Sequence, residues 1–176
     1  MPGRSGAARL ASLLAVAAVA AVAAAAAPGA TPLTTVHPKG LPLAIGLPSG
    51  WQATGLIAGS RFDAASANGS AHLDVTTARF PAAFTIFVSF EKTAVRQHYR
   101  AEDPKASVTS RLVSLPSGKA LETTVFVTHG SPLAIYVFAL LHNNVGYHFT
   151  YFTSQSQASS QRPDFERSAR SIKFTK

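Results

Sequence analysis

Nine consecutive apolar residues, Leu133 to Leu141, constrain this chain more than any other feature. Spanning a bilayer as a helix takes about 20 such residues, so the run reads as a buried strand. Successive side chains on a strand point to opposite faces of the sheet. Here the odd positions (Leu133, Ile135, Val137, Ala139, Leu141) and the even ones (Ala134, Tyr136, Phe138, Leu140) are both apolar. Such a strand has to be covered on both sides, and a sheet covered on both sides calls for helices on both sides.

The flanking sequence supplies those parts. Ser107 to Leu115, Ala120 to Thr128 and Val145 to Thr153 read as further strands, separated by Pro116-Ser117-Gly118, Gly130-Ser131-Pro132 and Asn143-Asn144, each tight enough for a hairpin. The strands on either side of the central one mix Thr, Tyr and Phe, as half-buried neighbours do. Earlier in the chain, Leu41 to Leu47 is a strand candidate closed by Pro48-Ser49-Gly50, with Trp51 directly after it and a looser stretch to about Gly59. Ser60 to Ala65 and Ala71 to Ala78 form a hairpin candidate around Asn68-Gly69.

Two helices are predicted. Pro81 opens the first, to Glu102, with Phe84, Phe87, Val88, Val95 and Tyr99 on a single apolar stripe, and Pro104 ends it. The β-branched content of Thr85 to Phe90 also allows a strand there. The second runs from about Gln157 to Arg170, after which Ile172 and Phe174 alternate as a last short strand. The expected fold is therefore α+β, a three-layer α/β/α sandwich with a mainly antiparallel sheet. Leu-Pro-Ser-Gly occurs at 47–50 and at 115–118, but the residues around the two copies do not match, so they read as two similar turns.

The N-terminus has a separate character. Arg4 and Arg9 precede an apolar run of Ala, Leu and Val from Leu10 to Ala27, broken by Ser12, with small residues at its end. A basic start, an apolar middle and a small-residue exit are the parts of a secretory signal. Ala24 and Ala26 suit the −3 and −1 positions, so residues 1–26 read as the signal peptide and Ala27 as the mature start. The competing reading is an uncleaved membrane anchor. Residues 27–40, with Pro28, Pro32 and Pro38, read as a flexible lead, and 41–176 as a single domain. The expected location is secreted or extracytoplasmic, in the periplasm or cell wall.

Charge and cysteine usage limit the chemistry. The chain carries 16 Lys and Arg against 8 Asp and Glu, a formal net charge of +8, of which about +6 remains after residue 26. That balance suits anionic surroundings such as phospholipid heads, wall polymers or acidic substrates. The basic residues are scattered, which also fits a plain solvated surface. There is no cysteine, so a disulfide framework, a thiolate metal site, a cysteine nucleophile and a lipid-modified lipobox are all excluded. The Ala-rich, Lys-poor usage points to a GC-rich bacterial genome, where the Asn68-Gly69-Ser70 sequon would be irrelevant.

The order of elements resembles the PsbP-like fold group: the PsbP proteins of photosystem II, exported bacterial domains, and LpqN-type mycobacterial envelope proteins. The resemblance spans Gly40 to Phe174 and rests on Leu47-Pro48-Ser49-Gly50-Trp51, Leu115-Pro116-Ser117-Gly118-Lys119-Ala120, Tyr136 to Phe152, and Phe165 with Arg170-Ser171-Ile172-Lys173-Phe174. It implies binding and assembly roles and carries no shared catalytic motif, so it assigns no site residue here. The lipid-bearing cysteine of the lipoprotein members is missing, and no lipid anchor is implied.

Catalytic signatures are sparse. Ser89-Phe90-Glu91-Lys92 matches Ser-x-x-Lys, but its partner motifs Ser-Asp-Asn and Lys-Thr-Gly are absent, as are a Gly-x-Ser-x-Gly elbow and a phosphate-cradling glycine loop. Six histidines offer no metal spacing; His142 and His148 flank a hairpin, His98 lies one turn from Glu102, and exposed histidines are expected. Asp63 and Asp74 sit on adjacent strand candidates and read as surface charge. No cofactor and no metal are expected, and nucleic-acid binding is disfavoured by export and by the lack of aromatic–basic interleaving.

The binding candidates are Lys92, Arg96 and Arg100, which share one helix face beside Tyr99 and read either as a flank that meets a phosphate or carboxylate or as a plain solvated helix face, and Trp51, which follows a turn and either stacks on a ligand or caps the core. The expected function is an exported, non-catalytic binding or assembly domain whose partner is an envelope protein, lipid or wall polymer. The alternative is a small secreted hydrolase using some combination of His, Asp and Ser.

Overall fold

The computed structural model describes residues 31–57 and 59–175. The proposed signal peptide, residues 1–26, lies outside them. In chain order the elements are β1 (Leu33–Val36), β2 (Leu43–Pro48), β3 (Gln52–Ala53), β4 (Phe62–Ala65), β5 (Ala71–Arg79), α1 (Phe84–Glu102), β6 (Ser107–Leu115), β7 (Gly118–Val127), β8 (Leu133–His142), β9 (Val145–Ser154), α2 (Ala158–Arg170) and β10 (Lys173–Phe174). Seven strands form the main sheet in the order β3-β4-β5-β9-β8-β7-β6, and β1-β2-β10 form a smaller one. Every pairing is antiparallel.

β8 lies between β9 and β7, as its two apolar faces require. Ile135, Val137 and Ala139 face α1, in clusters with Phe87, Val88, Val95 and Tyr99. Ala134, Tyr136, Phe138 and Leu140 face the other way, into the largest cluster, with Phe165 and Ala169 of α2 and Leu43, Ile45 and Leu47 of β2. The layers are thus α1, the main sheet, and α2 together with the small sheet. Local turn chemistry sets the β8–β9 hairpin, where Asn143 and Asn144 both take positive φ (50° and 59°). That geometry matches the twist of the two strands, and Asn tolerates it better than most residues.

Three expectations need correction. Residues 33–36, expected in a flexible lead, pair with β2 in register from Leu33↔Pro48 to Val36↔Ile45. The alternation of two half-buried residues around two threonines was hidden by the prolines on either side. β2 belongs to the small sheet, with all six of its residues buried, between β1 and β10 in the strand order. The stretch after Trp51 contains a short strand, β3, on the edge of the main sheet. Helix α1 begins at Phe84, three residues after Pro81. Phe80 still donates its amide to Asn144 O at 2.7 Å, so the chain leaves the sheet only there and uses residues 81–83 to reach the helix.

The second helix is clamped to the small sheet by two serines. Ser168 Oγ donates to Gly46 O at 2.6 Å and accepts from the Tyr151 hydroxyl at 3.0 Å, while Gly46 N donates to Ser171 Oγ at 2.6 Å. A Cβ at Gly46 would come within 2.9 Å of that Ser171 oxygen, so the clamp also explains the glycine in an otherwise apolar strand.

Candidate functional site

α1 lies on one face of the main sheet, and its outward side gathers most of the candidate residues. Its buried side holds Phe87, Val88 and Glu91. At 100° per residue, Lys92, Arg96 and Arg100 then fall along one flank of the solvent side, and Ile86 and Phe90 along the other. All three basic residues are exposed, and among the described residues none has an acidic partner within 4 Å. Ile86 is 58 % and Phe90 55 % exposed, although Phe90 rests against Phe80 with ring centroids 5.4 Å apart. The basic flank is legible in the sequence, whereas Ile86 and Phe90 lie off the Phe84–Tyr99 stripe and only the folded helix shows them exposed.

Trp51 is not part of this surface. It packs edge-on against Phe165 of α2, 6.1 Å between centroids, against the core cluster on the opposite face of the main sheet. Ser89 and Lys92 do not form a working pair either: the Ser89 hydroxyl donates to Thr85 O at 3.1 Å, one turn back along its own helix.

Two groups read as exposed or superficial in the sequence are instead buried or largely covered. Asp63 is 2 % exposed and stands directly opposite Asp74 in the β4–β5 register. Their strand neighbours Phe62, Ala64, Leu73 and Val75 point into the main core, so both carboxyls face the α1 side of the sheet. Asp63 Oδ2 accepts the Ile57 amide at 2.6 Å, and the Ser60 hydroxyl donates to Asp74 Oδ1. Burial pushes the Asp74 carboxyl above the usual carboxylate range, with a further push from the charge of Asp63 and a partial offset from the Ser60 hydrogen bond. His148, expected on the surface of its hairpin, is mostly covered and places Nε2 3.0 Å from Oε2 of the buried Glu91. Its ring is not aligned for a hydrogen bond, so the contact is one of proximity. His98 is exposed, 3.6 Å from Glu102, as the spacing suggested.

On the other face, a buried glutamate that the sequence did not flag is held by arginines. Glu122, 3 % exposed, takes Arg111 at 2.7 Å and Arg162 at 3.2 Å. Arg162 also reaches Glu166 at 2.9 Å and lies over the Tyr136 ring at 5.6 Å. Two guanidiniums face two carboxylates, and the network is balanced within itself. Among the described residues no group of three or more His, Asp or Glu is arranged to hold a metal. None of the serine or threonine hydroxyls described bonds a histidine ring.

No family model matches the chain, and no curated protein matches it in sequence. Solved structures do. Cyanobacterial PsbP (CyanoP) from Synechocystis sp. PCC 6803 aligns with a TM-score of 0.60 at 12 % identity, over 87 % of this chain and 98 % of that one. LpqN, involved in cell envelope biogenesis of Mycobacterium tuberculosis, aligns with a TM-score of 0.59 at 9 % identity, over 82 % and 91 %. The Saccharomyces cerevisiae Ran-binding protein Mog1p aligns with a TM-score of 0.58 at 7 % identity, over 82 % and 96 %. The chain therefore has the PsbP-like fold. At these identities the likeness carries no site residue from one protein to another.

Proposed function

We propose that this protein is an exported binding domain of the cell envelope that meets an anionic envelope component through the outer side of α1. The single observation behind the reading is the pairing of Ile86 and Phe90, both more than half exposed, with Lys92, Arg96 and Arg100, which lack acidic partners among the described residues. Exposed apolar side chains beside unpaired cations suit a surface that is both greasy and negative. The net charge of about +6 that remains after residue 26 would bring the domain to such a surface. The signal-like residues 1–26 support export, and no helix among the described residues is long and apolar enough to hold the chain across a membrane. LpqN shares the fold and is tied to envelope biogenesis, which is compatible with the reading.

The hydrolase alternative has less support. It needs a nucleophile within reach of a base, and none of the described serine or threonine hydroxyls bonds a histidine ring.

Co-sedimentation with vesicles tests the reading. Binding to vesicles rich in phosphatidylglycerol is expected, with little binding to phosphatidylcholine. Each cation near an anionic surface contributes about 1 kcal/mol at low salt, so replacing Lys92, Arg96 and Arg100 together by glutamine should weaken binding on the order of 100-fold. The same comparison on anionic wall polymer separates a lipid from a glycan partner. If neither surface is bound, or the triple variant binds both as well as the parent, the reading is wrong.

A further inference from the structure

On the side of the main sheet away from α1, the single tryptophan of the chain lines a pocket of 330 Å³. Three segments far apart in sequence build it: the turn at 48–51 after β2, the turn at 66–70 between β4 and β5, and Gln161 with Asp164 near the start of α2. Both turns are tied down. Ser49 donates its amide to Pro32 O at 2.8 Å, Trp51 to Pro48 O at 3.1 Å, and Gly69 to Ser66 O at 2.8 Å. Asn68 Oδ1 accepts the Ser66 hydroxyl at 2.9 Å and the Ser70 amide at 3.0 Å, which fixes that side chain by its oxygen and leaves its NH2 group unengaged.

The groups left unpaired on these walls define what would fit. A tryptophan N–H that is covered by protein usually finds a partner. That of Trp51 has none among the described residues, although the ring is half-buried, and it stays open to solvent. The half-buried carboxamide of Gln161 is in the same condition, open and without a partner among the described residues. Asp164 is the only ionisable residue of the wall, and Arg167 pairs with its Oδ1, so the pocket has no uncompensated charge to select an ion. It offers an indole N–H, two carboxamides and a spare carboxylate oxygen beside an aromatic ring. A ligand that answers all of these is neutral, carries several hydroxyls and has an apolar face.

We propose that this pocket binds a neutral pyranose sugar, with the C–H face of the ring against the Trp51 indole and the hydroxyls bonded to Gln161, Asn68 and Asp164. A pyranose combines the two requirements, because its ring carbons present C–H groups to one side while its hydroxyls radiate around the rim. The fixed turns mean that little has to be ordered on binding, which favours a small ligand. The site lies in the layer opposite α1 and does not depend on that surface: α1 selects for negative charge, and this pocket for hydroxyls.

Because Trp51 is the only tryptophan, its fluorescence and its indole N–H resonance report on this pocket alone. The probes are the methyl pyranosides of glucose, galactose and mannose, and N-acetylglucosamine, each titrated into the protein. At least one should change the indole signal saturably, together with the side-chain amide of Gln161, with a Kd on the order of 1 mM for a ligand of this size. Glycerol has hydroxyls without a ring and cyclohexanol a ring with a single hydroxyl, and both should bind roughly tenfold more weakly. Gln161→Ala removes a side chain that makes no bond in the protein, so it should fold as the parent does and weaken the sugar about fivefold, the worth of one hydrogen bond. Trp51→Phe keeps an aromatic ring beside Phe165 but loses the indole N–H, and should weaken the sugar by a similar factor, read from the Gln161 amide. No saturable change with any of the sugars overturns the proposal. So does cyclohexanol or glycerol binding as well as the sugars, or unchanged sugar affinity in Gln161→Ala.

Discussion

Asp103 is the single residue whose role depends most on what surrounds it. It follows α1 directly, and nothing in Glu102-Asp103-Pro104 distinguishes it from a surface acid. In the folded protein its Oδ2 accepts from the Thr128 amide (2.6 Å), the Thr128 hydroxyl (3.0 Å) and the His129 amide (3.1 Å), and its Oδ1 from the Lys105 amide (2.9 Å). These bonds, the Thr128 amide foremost, hold the carboxyl down at about 2, against an ordinary 3.8. A group whose folded-state pKa is depressed stabilises fully above its unfolded pKa and loses that contribution as pH falls through the folded one. Asp103→Asn should therefore lower the urea midpoint at pH 7, and the gap from the parent should close between about pH 4 and pH 2. Midpoints measured across that window check it; a gap that stays constant would mean the carboxylate charge is not what Asp103 contributes. The carboxyl ties the end of α1 to the start of the β7–β8 connection, residues 25 and 26 positions apart.

At the scale of elements, the contact between α1 and the sheet turns on Phe87 and Gly146. Phe87 is fully buried and flanked by Phe80 and Phe84, at centroid distances of 5.1 and 6.3 Å. A Cβ on Gly146 of β9 would stand 2.8 Å from its ring. The glycine is there because the helix comes down onto the strand at that point, and a confined ring cannot yield cheaply. Gly146→Ala should cost about 1–3 kcal/mol, as overpacking generally does. Phe87→Leu in the same chain should recover part of that loss, since the smaller side chain vacates the space. The double-mutant cycle by chemical denaturation reads the coupling directly; strict additivity of the two changes would show that they do not share the contact. Phe87 was legible as part of the apolar stripe. Gly146 was not, because its reason lies 59 positions away in the chain.

Over the whole molecule, the boundary of the domain is the question the structure answers differently from the sequence. A start at residue 41 follows from the three prolines of the lead, whereas β1 at Leu33–Val36 covers β2 in the small sheet. Removing residues 1–40 instead of 1–30 should cost about 1–2 kcal/mol from the partly buried Leu33 and Val36, which lowers Tm by roughly 3–6 °C in a domain of this size. Calorimetry on the two truncations decides it, and identical Tm values would mean that β1 adds no stability. The same scale explains why the surface reading is divided between faces. α1 presents apolar and basic residues outward on one side of the sheet, while Trp51 and the Glu122 network belong to the layer on the other.

What the amino-acid sequence determined alone is whatever depends on near neighbours and on composition. The two-faced apolar run placed β8 at the centre of a covered sheet, Asn143-Asn144 set a hairpin, and the stripe from Phe84 to Tyr99 made a helix, because periodicity and turn geometry act within a few residues. The absence of cysteine left packing as the source of stability, and the core on both faces of β8 supplies it. Only the tertiary structure decided that β2 would join a separate small sheet, that Asp63 would be buried opposite a half-buried Asp74, and that Glu91 would approach His148 under α1. An acid reads alike in sequence whether it meets solvent, an amide or another acid. Its environment comes from strand register and from where a helix settles, and both are set by contacts between segments far apart in the chain.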